Sequence, residues 1–237
     1  MNLRLVSFIL LFMLSNAEAV NYRDGSITYL YGDNFAVEPE EQQTLTFEYV
    51  AAWDNFSFFM FIDAKDYKDG GDSRYGEFSP RYNLSDYGKQ GLVNKLYLAA
   101  TLERGSSDVS SNLFGFGVDL NSEFFNFANL TLYQRNDPDV PDYGYQLTGV
   151  WSFDTQIGEV PLTIDGFFDW TFANDEGADN LHFNPQIKLD MKKWFGGNTK
   201  WYLGIEYDFW SNKFAIEDTA GFDTDQNTWS FLAKWHF

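Results

Sequence analysis

The chain has 237 residues, no cysteine, an aromatic content of 20% and 35 acidic against 16 basic side chains, for a formal net charge of −19. The acidic balance argues against a nucleic-acid surface, which needs a basic stripe. The missing cysteine leaves neither a disulfide staple nor the usual sulfur-liganded metal centre, and the aromatic load is foreign to an acidic disordered chain.

The first element is a leader. Arg4 precedes an apolar run over residues 5–14, and Ala17 and Ala19 form an Ala-x-Ala exit. That pattern predicts a secretory signal peptide over residues 1–19. The apolar run is half the roughly 20 residues that a spanning helix requires. Residues 20–237 are then read as one domain, and no later stretch is apolar for long enough to cross a membrane as a helix.

From there the period is two, over twelve segments of about ten residues each. In residues 44–53, Leu45, Phe47, Tyr49, Ala51 and Trp53 share one face, and Thr44, Thr46, Glu48 and Val50 share the other. In 92–102, Leu92, Leu96, Leu98 and Leu102 oppose Lys95, Tyr97 and Thr101. In 162–172, Leu162, Ile164, Phe168, Trp170 and Phe172 oppose Thr163, Asp165, Asp169 and Thr171. Leu181, Phe183, Ile187, Leu189 and Met191 oppose His182, Asn184, Gln186, Lys188 and Asp190. Trp201, Leu203, Ile205, Tyr207 and Phe209 oppose Lys200, Tyr202, Glu206, Asp208 and Trp210. The last segment sets Trp229, Phe231, Ala233, Trp235 and Phe237 against Thr228, Ser230, Lys234 and His236.

Strands of this length match a tilted crossing of a bilayer and exceed those of soluble sheets. Open edges fail in lipid, so the expected fold is all-β: a transmembrane up-and-down antiparallel barrel of about twelve strands. Ten strands also fit if residues 25–34 and one weak central segment do not span. Charges fall on the polar faces only, which predicts a polar interior and a lipid-facing apolar wall.

The connections read as alternately tight and long. Asp54–Asn55 and residues 192–200 are the tight ones. Residues 35–43, 65–74, 136–142, 174–180 and 212–226 are the long acidic ones. Short periplasmic turns and longer outside loops place both termini on the periplasmic side. The terminal Phe237, preceded by aromatics at alternate positions, looks like the strand that the outer-membrane barrel assembly machinery reads by strand addition. Localisation in the outer membrane of a Gram-negative bacterium follows.

Catalytic signals are weak. There is no Gly-x-Ser-x-Gly elbow, no His-Glu-x-x-His pair and no Gly-rich phosphate loop. His182 and His236 are the only histidines, and neither stands beside a nucleophile in sequence. No catalytic residue, metal ligand or cofactor is assigned. What remains is a lined pore, narrower than a wide porin of about 16 strands. Strand parity gives its lining as Asp63, Glu77, Arg81, Lys95, Asp119, Asp169, Glu206, Asp208 and Trp210. The carboxylates would accept hydroxyl or amine hydrogens. Arg81 and Lys95 would partner them, and aromatic faces such as Trp210 would stack on a flat solute.

Short motifs carry a resemblance. Phe59, Phe61, Asp63 and Ala64 resemble an aromatic strand ending in Asp-Ala. Glu77, Pro80, Arg81 and Tyr82 resemble a Glu-x-x-Pro-Arg-aromatic strand. Gly115, Gly117 and Asp119 resemble a Gly-x-Gly-x-Asp strand. Phe168, Asp169 and Trp170 resemble a Phe-Asp-Trp strand, and Tyr207, Asp208 and Trp210 a late Tyr-Asp-x-Trp strand. In this order they are similar to the Tsx family of nucleoside-specific channels, in the branch that includes the OmpK proteins. The resemblance implies a monomeric twelve-stranded barrel that passes nucleosides by diffusion, with some members acting as phage or colicin receptors. This chain departs from it in its shorter loops and in the charged stretch 65–72.

The reading is a passive outer-membrane channel for nucleosides or similar small polar solutes, embedded in outer-membrane lipid and not an enzyme. Two rivals stand beside it. One is a structural or adhesion barrel plugged by its own charge pairs. The other is an outer-membrane enzyme acting on lipid or peptide, for which His182 is the histidine at the outer rim.

Overall fold

The computed structural model describes residues 20–106, 108–137, 144–173, 177–196 and 200–237. The expected leader, residues 1–19, lies outside the described residues, as do parts of the expected connections 136–142, 174–180 and 192–200.

Alternating polar and large apolar side chains cannot bury a helical stripe, but they fit a pleated strand whose two faces meet different surroundings. Among the described residues twelve strands form. They are β1 (Tyr22–Gly32), β2 (Gln42–Ala52), β3 (Phe56–Tyr67), β4 (Asp72–Asp86), β5 (Val93–Gly105), β6 (Ser110–Leu120), β7 (Phe127–Asn136), β8 (Gly144–Ile157), β9 (Val160–Phe172), β10 (Asn180–Asp190), β11 (Lys200–Ser211) and β12 (Gln226–His236). Each pairs antiparallel with its chain neighbour, and the sheet closes on itself. Closure is made by β1 against β12, from Ser26 opposite His236 to Gly32 opposite Ser230. β1 is therefore a full strand, and the ten-strand alternative is set aside.

The register sorts side chains by sign. Phe47, Ile62, Leu98, Phe116, Leu132, Trp170, Ile205 and Phe231 stand exposed on the outer wall. Buried polar residues such as Thr28, Thr131, Lys188, Gln226, Thr228 and Lys234 point inward. A soluble barrel would do the reverse, so an apolar solvent surrounds this one. Aromatics crowd the outer wall near the ends: Trp201 and Trp235 stack at 5.8 Å, and Phe237 lies 5.4 Å from Trp235.

Inside, one stretch of wall packs like a core. Tyr97, Ala99, Leu113 and Tyr133 form a buried cluster across β5, β6 and β7. The Tyr97 and Tyr133 hydroxyls bond the hydroxyls of Thr131 (2.9 Å) and Thr101 (3.4 Å). Gly117 makes room for the ring of Tyr97, since a Cβ there would sit 2.4 Å from it.

Both ends of the described barrel lie at one rim: the Phe237 amide bonds Gly25 O, and the Asn21 amide bonds Ala52 O. This terminal rim carries the 53–55, 87–92, 121–126 and 158–159 connections and residues 191–196, with one helical turn at Lys192–Phe195. The opposite, loop rim carries the 33–41 and 212–225 loops, the latter with a 3-10 turn at Lys213–Ala215.

One expected loop is strand instead. Residues 65–67 continue β3, and β4 begins at Asp72, so the connection is only 68–71. The charged residues tolerate pairing because partners await them: Gln42 faces Tyr67, and Lys68 binds Glu41. Gly70 and Gly71, at φ 94° and 97°, take the left-handed turn that other residues resist.

Candidate solute path through the barrel

A candidate path would draw on the inward-facing alternate positions of the strands. The ladder puts Asp63 of β3 opposite Thr46 of β2 and Tyr75 of β4. Glu77 of β4 faces Glu103 of β5, and Arg81 faces Ala99. Lys95 of β5 faces Asp119 of β6. Asp169 of β9 faces His182 of β10, which faces Trp210 of β11. Glu206 and Asp208 of β11 face Ser230 and Thr228 of β12. All nine residues read from strand parity share the inward register.

They do not form one site. Asp169, His182, Asp208 and Trp210 make a patch on β9–β11. His182 Nε2 lies 2.8 Å from Asp208 Oδ1, and its ring stacks on Trp210 at 3.9 Å and 13°. Phe167 meets His182 edge-on at 4.8 Å. Asp169 accepts hydrogen bonds from Gln146 Nε2 (2.9 Å) and Thr148 Oγ1 (2.5 Å). Gln186 Nε2 donates to Glu206 at 2.7 Å. Across the barrel, Arg81 donates to Asn129 at 3.3 Å and lies 4.8 Å from the Tyr97 ring centroid, a cation–π geometry. Tyr75 donates to Glu77 at 2.8 Å, and Thr46 to Asp63 at 2.6 Å.

Several of these groups are already occupied. One face of Trp210 is taken by His182, and Phe214 lies against it at 5.6 Å. Both carboxylate oxygens of Asp208 accept bonds, the second from Gln226 Nε2 at 2.8 Å. The aromatic surface open to the lumen is elsewhere. Phe59, on the same register as Asp63, is 38% exposed and sits 6.1 Å from Phe61, which sits 5.8 Å from Tyr75.

Three ion-paired belts brace the lumen. Arg135 of β7 clasps Glu103 (2.6 Å) and Asp137 (2.9 Å). Lys188 holds Asp165 and Lys234 holds Glu48, each at 2.5 Å. Near the loop rim, Glu38 is bound by both Lys65 and Lys213 at 2.8 Å. Burial opposes ionisation of Glu38, but the Lys65 and Lys213 ammoniums together outweigh it and hold its carboxyl below the ordinary value. Burial pulls the Lys213 ammonium below its ordinary value despite Glu38 beside it.

Parity applied to every strand would have found Phe59, Phe61, Lys65, Glu103 and Arg135. Glu38 and Lys213 sit in loops, where no periodic signal exists. A hollow of about 570 Å³ does occur, but on the outer wall, over Ala100 and Gly115 among Leu98, Phe116 and Leu132. It faces lipid and is no part of the path.

No family model matches the chain. The Outer membrane protein OmpK of Vibrio parahaemolyticus is 29% identical over 165 residues, 66% of this chain and 62% of that protein. The chain thus spans less than two thirds of the length of this curated relative. Among solved structures, the KdgM porin matches with a TM-score of 0.53 at 14% identity, over 90% of this chain and 99% of that one. The KdgM porin in complex with disordered oligogalacturonate matches with a TM-score of 0.52 at 16% identity, over the same shares. The fold is that of a porin-like outer-membrane barrel, and the protein is located in the outer membrane.

Proposed function

We propose that the barrel is a passive channel for small, neutral or cationic, hydrogen-bonding solutes, with nucleosides as the preferred class. The observation that carries this reading is the inward register itself. It is mostly polar around a closed barrel, interrupted by Leu113, Leu232, Phe59 and Phe61, and carries carboxylates in excess of ammonium and guanidinium groups. Such a lining lowers the potential in the lumen and favours cations and neutral donors over anions. A solute like the oligogalacturonate bound by the KdgM porin is a polyanion, and Glu77, Asp169, Glu206 and Asp208 would repel it. Ribose hydroxyls and base amines can donate to these carboxylates, and Phe59, Phe61 and Tyr75 offer faces for stacking. The flux follows the gradient, and the lining residues bind and orient without a chemical step. The longer loops of the loop rim face outside by the usual asymmetry of such barrels, and residues 1–19 direct export before removal.

A second reading, a barrel plugged by its own charges, draws on the belts Arg135–Glu103, Lys188–Asp165 and Lys234–Glu48. Uptake of labelled adenosine into vesicles holding the refolded barrel separates the two. A channel equilibrates adenosine faster than a galacturonate oligomer of similar size, and Asp169→Asn or Asp208→Asn alters that rate while the barrel stays folded. Uptake equal to protein-free vesicles supports the plugged barrel. Unchanged uptake in both variants removes these two residues from the path.

A further inference from the structure

The 33–41 loop does not arch over the barrel mouth. It lies inside it. The hydroxyl of Thr228 donates to Asn34 O at 2.6 Å, and the Ala36 amide donates to Gln226 Oε1 at 3.1 Å. Both Thr228 and Gln226 are inward-facing residues of β12, 1% exposed. From there the strap carries Glu38 to Lys65 on β3 and to Lys213 in the 212–225 loop. Lys213 is 2% exposed and wedged between the rings of Phe35 (5.8 Å) and Phe214 (5.0 Å), with Gln226 Oε1 accepting from its ammonium at 2.6 Å.

The backbone on both sides of this clasp is strained. Asn34 and Val37 in the strap, and Asn212, Phe214 and Ala215 opposite, have φ between 51° and 72°. A β-branched residue such as Val37 is rarely found there. Left-handed backbone on both sides is held only while its surroundings over-determine it, and here those surroundings are the ion pairs of Glu38. The same Gln226 that holds Lys213 also donates to Asp208, so one amide links the clasp to the His182–Trp210 patch.

We propose that the 33–41 strap is a gate that narrows the mouth at the loop rim, held in its narrowed state by Glu38 clasped between Lys65 and Lys213. The gate rests on the channel reading, since there must be a path to close. Charge counting sets the order of its failures. Removing Glu38 leaves two ammoniums facing each other with no anion between them. Removing one lysine leaves a balanced pair. Of the two, Lys213 is the more deeply buried and the one that reaches the strap from the opposite loop.

The test uses the refolded full chain. Because the protein has no cysteine, Glu40→Cys and Glu217→Cys place spin labels on exposed positions of the two loops without background. Glu38→Gln should lengthen and broaden the distance between the labels. In unlabelled protein in a planar bilayer it should raise unitary conductance by about twofold or more. Lys213→Met follows in both readouts, then Lys65→Met, and Lys200→Ala at the terminal rim changes neither. The isosteric Glu38→Gln and the independent Lys213→Met guard against a variant that misfolds, with strand content checked by circular dichroism. A label distance unchanged by Glu38→Gln overturns the clasp. A lengthened distance with unchanged conductance shows that the strap closes nothing. Silence from parent and variants alike overturns the channel reading and the gate with it.

Discussion

At the terminal rim Lys200 pairs with Asp24 at 2.9 Å while remaining 57% exposed, and His236 reaches the same carboxylate from β12. At the loop rim Lys213 is buried beside Glu38, and the backbone around it bends into left-handed conformations. Both rims contain ion pairs, but they differ in the cation: Lys213 is 2% exposed and Lys200 keeps most of its water. Exposed pairs trade water for a partner with little gain, so the terminal rim is held by its turns and by the β1–β12 seam. Buried pairs must stay matched, because an orphaned charge has no water to turn to. At the loop rim a single charge change strands a buried ammonium, whereas the Lys200 ammonium stays in water.

The sharpest contrast lies between Arg135 and Lys200. Arg135→Met leaves Glu103 buried without its cation and should cost about 3–5 kcal/mol, read from urea unfolding in bilayers. A loss no larger than that of an exposed pair would break the distinction between buried and exposed charges. Glu38→Gln comes next, destabilising by about 1–3 kcal/mol through the stranded lysines and releasing the strap.

Acid sharpens the comparison further. Glu38 is faced by Lys65 and Tyr67 from β3 and by Lys213 from the opposite loop, and Lys213 is also faced by Asp208. With the Glu38 carboxyl held low in the clasped form, that form binds fewer protons than the released one. It is favoured at and above the ordinary carboxylate range and lost as pH falls through the lowered value. The depressed Lys213 ammonium acts only in the alkaline range below the ordinary lysine value, and in acid it is charged in both forms and adds no pH dependence. The label distance should hold between pH 7 and pH 5 and lengthen only in stronger acid. Opening at pH 6 would contradict it. The smallest effect belongs to Lys200→Ala, about 0–1 kcal/mol with the strap unmoved.

The fold was legible because period two repeats in every strand and every strand is long. Leu45, Phe47 and Tyr49 against Thr44, Thr46 and Glu48 already state which way the wall faces. The nine lining positions followed from the same parity, and their inward register is a backbone property. Their partners were not legible. That His182 would cover Trp210 depends on barrel tilt and stagger, which no single strand encodes. The charged run after Ala64 read as a loop because charge and turn residues coincide there, yet Lys65 sits in β3 because Glu38 comes to meet it. Strand periodicity has no counterpart in the 33–41 and 212–225 loops, so the clasp was invisible until the chain was folded.

The most direct test of a carboxylate-lined path is the reversal potential of the refolded barrel in a planar bilayer across a potassium chloride gradient, with adenosine then added. A lumen with the charges described here predicts small steady openings that favour potassium over chloride and are interrupted by adenosine. Chloride preference, or no current from a barrel shown to be folded, would contradict it.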